Sequence, residues 1–88
     1  MRPMRAVYAD YENGPITLTA VPVVCFDDGE PYVLAASRLE AVPVREQTTH
    51  GVFVGLIHGN EDPEILRPQA ESLLAVVEAE VVARWSRH

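Results

Sequence analysis

The chain has 88 residues, which is the length of one domain. A chain this short hides only roughly 60–65% of the surface that its unfolded form exposes. Its net charge is −6, and the charge is spread evenly: residues 1–48 hold four Arg and seven acids, residues 49–88 three Arg and six acids. Nucleic-acid binding draws on clustered cations that displace counterions, and anionic membrane surfaces attract the same clusters. Scattered arginines therefore disfavour both partners.

All seven cations are arginine; the chain is lysine-free. Ala and Val are abundant and Ile is scarce, a bias expected of a GC-rich bacterium or its phage. Cys25 is the single cysteine, so no intramolecular disulfide forms, as is usual in a reducing cytosol. "MRPMRAVYADYENG" has no apolar signal-peptide core, and no apolar run is long enough to span a bilayer. The expectation is a soluble cytoplasmic protein.

In chain order, "RAVYADY" (Arg5–Tyr11) carries the aromatic and β-branched residues of a strand. "ENGP" signals a turn. In a two-residue Asn13-Gly14 hairpin Pro15 would have to close the turn without an N–H, which favours a longer loop. "PITLTAVPVVCF", "DDGE" and "PYVLAAS" then read as a hairpin. A type I′ turn centred on Asp28-Gly29 pairs Asp27 with Glu30, Phe26 with Pro31 and Val24 with Val33. Neither face of this hairpin alternates with polar residues, so both faces are expected to be covered. One helix can cover only one of them.

"SRLEAVPVREQ" is ambiguous. Ser37 and Glu40 have capping-box spacing, Pro43 stops a helix, and a short strand at Val42–Glu46 is favoured. "HGVFVGLIHG" reads as a further strand. Asp62 then fits an N-cap with Pro63 at the first helical position, and Pro68 imposes a kink or restart. The rest forms one long helix with Leu66, Ala70, Leu73, Leu74, Val77, Val81 and Trp85 on one stripe. The fold expected is α+β: an antiparallel sheet of four to five strands over residues 5–59, and one C-terminal helix over 62–86 packed on one face.

The helix has a second apolar side. Ala75, Ala79 and Ala83 line up at i, i+4 and i+8, flanked by Val76 and Val82. A helix apolar nearly all round is usually buried on more than one side. With 48% hydrophobic residues on a small body, this leads to the expectation of a homodimer with an isologous contact, and makes this face the candidate interaction surface.

Chemistry-bearing constellations are sparse. His50 and His58 are eight residues apart, so a straight strand separates them by about 26 Å, too far for one metal. No HxH, HExxH or CxxC spacing is present. Strand parity puts Gly51, Gly55 and Gly59 with Phe53 and Ile57 on one face, and His50, Val52, Val54, Leu56 and His58 on the other. Glycines in a strand mark close approach by another backbone or a ligand; the chain's own helix is the favoured visitor. Asp27, Asp28 and Glu30 read as a solvated hairpin tip, too short for a calcium loop. Cys25, among valines, reads as a buried small hydrophobe rather than a nucleophile.

No cofactor or metal is expected. The reading favoured is a small non-enzymatic interaction or modulator protein, possibly phage-encoded or accessory, acting on a host or cognate protein. The alternative is a ligand-binding module or small dimeric enzyme with a pocket at the sheet or dimer interface, built from His50, His58, Gly51, Phe53 and Gly55. An acidic mimic of DNA ranks last, because arginines interrupt the carboxylates.

Overall fold

The computed structural model describes residues 3–12, 14–25, 29–34, 41–47 and 49–85. It is α+β: five antiparallel strands and one C-terminal helix. The strands are β1 (Met4–Asp10), β2 (Thr17–Cys25), β3 (Pro31–Leu34), β4 (Ala41–Pro43) and β5 (Val52–His58), in the order β4-β3-β2-β1-β5. Strand β1, predicted from its aromatic and β-branched run, lies between β2 and β5 and is buried from Ala6 to Ala9. The β1–β2 connection spans residues 11–16, the longer loop that Pro15 favours.

The β2–β3 register differs from the expected one. Cys25 pairs with Pro31, Val24 with Tyr32 and Val23 with Val33, one residue away from the pairing set by an Asp28-Gly29 turn. The connection therefore has five residues rather than four, and Gly29 takes φ 80° within it. Phe26, Asp27 and Asp28 lie outside the described residues, as does the Ser37–Glu40 capping box. A one-residue slip changes which side chains share a face. Here it puts Val33 beside Val23, and Val33 is buried.

Cys25 is exposed, not buried as expected. The pairing with β1 ends at Met4↔Val23, so Val24 and Cys25 run past the end of β1, and among the described residues β3 is the strand that pairs with them. The predicted Val42–Glu46 strand is the shorter β4, after which Glu46 N–H closes a turn onto the Pro43 carbonyl at 2.9 Å.

The C-terminal segment restarts as its prolines require. Asp62 Oδ1 accepts the Glu64 N–H at 3.0 Å and caps a 3₁₀ turn, Pro63–Leu66. Helix α1, Arg67–Trp85, then begins with Pro68 in its first turn, where a missing N–H breaks no bond. Arg67 is held by Glu64, with Nε to Oε2 at 2.5 Å, and its guanidinium also donates to the Ile16 carbonyl at 3.2 Å. The hydrogen bond from Arg67 to Glu64 holds the exposed Glu64 carboxyl below its ordinary value. Asp62→Ala removes the cap and is expected to cost about 1 kcal/mol, read as a lower thermal midpoint.

Two layers cover the sheet. One face packs Val7, Ala9 and Ile57 beneath the 3₁₀ turn and α1, where Ala70 is fully buried. Tyr11 Oη donates to the Ala70 carbonyl at 2.6 Å and ties the first turns of α1 to the end of β1. The other face gathers Ala6, Tyr8 and Val33 with Val44, ringed by Val21, Val23, Phe53 and Leu56. Its cover is the β4–β5 connection. The Tyr8 hydroxyl donates to the Val44 carbonyl at 2.7 Å, the His50 ring lies 6.0 Å from the Tyr8 ring, and Arg45 sits 5.2 Å above the Phe53 ring. The second cover that the apolar faces demand thus comes in part from the chain itself.

Candidate functional site

The stretch from His50 to Gly59 holds all five residues of the expected pocket, and β5 disperses them. A β-bulge is the cause. Val7 pairs with Gly55 but Tyr8 pairs with Phe53, so Val54 is the extra residue. Parity reverses there. Phe53 and Leu56 join the Tyr8 face, with the Phe53 and Tyr8 rings edge to face at 5.8 Å. Gly55 and Ile57 lie on the helix face. The single-face set of Gly51, Phe53, Gly55, Ile57 and Gly59 is therefore corrected.

The glycines have separate reasons. Gly51, at φ 112°, lies against the backbone of β1: a Cβ there would collide with the Ala9 carbonyl. Gly55 lies under Leu66, whose Cδ1 would be 3.3 Å from an added Cβ. Gly59, at φ 58°, has open space beside it. The favoured visitor, the chain's own helical segment, is present at Gly55, and β1 itself fills the notch at Gly51.

His58 is the last residue of β5, whereas His50 lies two residues before the strand begins. His50 is half-buried, and its backbone N–H donates to Gln47 Oε1 at 3.3 Å. His58 is exposed, with its backbone N–H on Glu61 Oε1 at 2.7 Å. Among the described residues no group of three or more His, Cys, Asp or Glu is placed to hold a metal.

Two concavities are lined by described residues. The first is a cavity of about 200 Å³ lined by Ala9–Glu12, Thr49–Val52 and Val77. It contains His50 and Gly51, but Phe53, Gly55 and His58 do not line it. Asp10 Oδ1 is engaged by the Glu12 N–H at 2.9 Å. Burial pushes the Tyr11 hydroxyl above its ordinary value. The side chains lining it include the carboxylates of Asp10 and Glu12, the hydroxyls of Tyr11 and Thr49 and the imidazole of His50.

The second is an open groove of about 530 Å³ between β5 and the helical segment, lined by Val54, Ile65, Pro68, Gln69, Ser72 and Leu73. None of these side chains is charged. Nothing in the local sequence around Val54 marks this groove; it arises because the bulge and the restart at Pro68 bring distant segments together. The predicted interaction face adjoins it: Ala75, Ala79 and Ala83 are exposed, Val76 is 54% exposed and Val82 is 63% exposed. From Glu78 onward every described helix side chain is exposed. No helix among the described residues is long and apolar enough to cross a membrane. No family model, characterised protein or solved structure matches this chain.

Proposed function

We propose that the chain is a non-enzymatic protein–protein interaction module that works as a homodimer. The observation that carries this reading is the second half of α1. Val77 is the last described helix residue that is even half-buried, yet the helix continues for two turns with Ala79, Val82 and Ala83 in the open. A helix that is apolar nearly all round is usually buried on more than one side. The shape agrees. The radius of gyration is 14.4 Å, against about 12 Å for a compact domain of this length.

The ligand-pocket alternative has weaker support. The cavity beside His50 holds about 200 Å³. Sites for small molecules start near about 300 Å³. Light scattering at micromolar concentration is expected to give twice the monomer mass. A monomer at that concentration overturns the homodimer.

A further inference from the structure

Resting on that homodimer reading, we infer that the two-fold contact is made by the outer edge of β5 and the groove beside it, with a second copy of this chain as the occupant. Two β5 strands pair antiparallel across the axis, the two sheets become one continuous sheet, and the helices lie side by side.

The two edges of the sheet differ. The β4 edge is three residues long and contains Pro43, which blunts it as a template. The β5 edge is seven residues of VFVGLIH, with no proline and no acid, and no described strand pairs with its outer side. Its outward groups can be assigned from its ends. Gly59 N–H donates inward to the Pro3 carbonyl at 2.7 Å, whereas His58 N–H goes outward to Glu61. Antiparallel alternation then turns the N–H and C=O of Leu56 outward as well. The bulge at Val54 bends the strand. The pairing therefore centres on the straight stretch around Leu56.

The surface beside this edge suits the same contact. Ile65 is 51% exposed and, with Val54, Pro68 and Leu73, makes an apolar wall along the groove. Val52, also exposed, extends it. Helical spacing puts Ile65, Ser72 and Val76 on the side of the helix over β5, while Arg67 reaches the opposite way to Ile16 at the start of β2. Glu71 and Glu78 also fall on that far side. A copy carrying the same net charge of −6 thus meets an uncharged groove, with Glu71 and Glu78 on the far side of the helix and Glu61 and Glu80 beyond the groove lining.

The exposed area is sufficient. The chain exposes 6517 Å², whereas a compact monomer of this mass exposes about 5,100 Å². The excess is greater than the roughly 800 Å² per partner that a standard interface buries. An antiparallel strand edge is also self-complementary about a two-fold axis, each copy supplying the donors that the other's acceptors need.

The test uses the full chain, with Ile65→Glu in the groove wall and, as the control, Glu71→Gln on the exposed far side of the helix. Ile65 is already half in solvent, so Ile65→Glu should leave the circular dichroism spectrum unchanged. It is expected to raise the dimer dissociation constant at least about 30-fold, with Glu71→Gln within about threefold of wild type. In the wild type, amide exchange at Leu56 should slow as concentration rises through that constant. If Ile65→Glu leaves the dissociation constant within about threefold of wild type, or if Leu56 exchange is independent of concentration in a proven dimer, the β5 interface is overturned while the homodimer stands. A monomeric wild type overturns both.

Discussion

Replacing Gly51 by alanine is expected to destabilise the protein by about 3–4 kcal/mol, combining backbone strain with a steric clash. A domain of this size holds only about 5–10 kcal/mol in total, so the variant should be largely unfolded well below the wild-type thermal midpoint. Two effects coincide at this position. Its φ of 112° is a conformation that side chains bearing a Cβ rarely adopt. An alanine Cβ would also meet the Ala9 carbonyl and Asp10 nitrogen, which are backbone atoms of the buried strand β1 and have no rotamer to change. Gly59→Ala is the matched control. Its φ of 58° lies in the left-handed region but its surroundings are open, so only the conformational cost of about 1–2 kcal/mol applies. Urea unfolding of both variants checks the contrast; a Gly51→Ala midpoint equal to that of Gly59→Ala would show that β1 yields to the added methyl.

Only some parts of this fold were legible in the sequence. Elements with local causes were. β1 follows from its aromatic and β-branched residues, and the helix start follows from Asp62, Pro63 and Pro68, whose capping and missing N–H act within one turn. Registers were not legible, because they depend on contacts between distant segments. The β2–β3 pairing lies one residue from the simplest hairpin, and the bulge at Val54 reverses the parity of β5. Each displacement moves whole sets of side chains between faces. Strand periodicity assumes an unbroken strand, so it put Phe53 with the glycines, whereas the structure packs it on Tyr8. The need for a second cover on the sheet was visible in the missing polar alternation. Its partial answer, a connection of mixed composition lying over Tyr8, carried no periodic signal.

The hydroxyl and ring of Tyr8 offer a test of that cover. Tyr8→Ala is expected to cost about 3–5 kcal/mol, since the ring is fully buried and borders Val44, His50 and Phe53. Tyr8→Phe keeps the ring and removes one hydrogen bond to the Val44 carbonyl, for about 1–2 kcal/mol, because that carbonyl is left in a buried setting. Loss from Tyr8→Phe should be local, with faster amide exchange across residues 44–50 ahead of the rest of the sheet. Burial also raises the Tyr8 hydroxyl above its ordinary value of 10.0. A group whose folded value is raised contributes its full stability below the unfolded value, and that contribution is lost as pH rises through the folded value. Stability should therefore decline above about pH 10, where the unfolded tyrosine ionises and the buried one does not. Tyr8→Phe should flatten this decline without abolishing it, because Tyr11 is shifted in the same direction by the same cause. Urea midpoints measured from about pH 8 to pH 11 follow the effect. An unchanged alkaline slope in Tyr8→Phe would mean that the β4–β5 connection opens and hydrates Tyr8 before the domain unfolds.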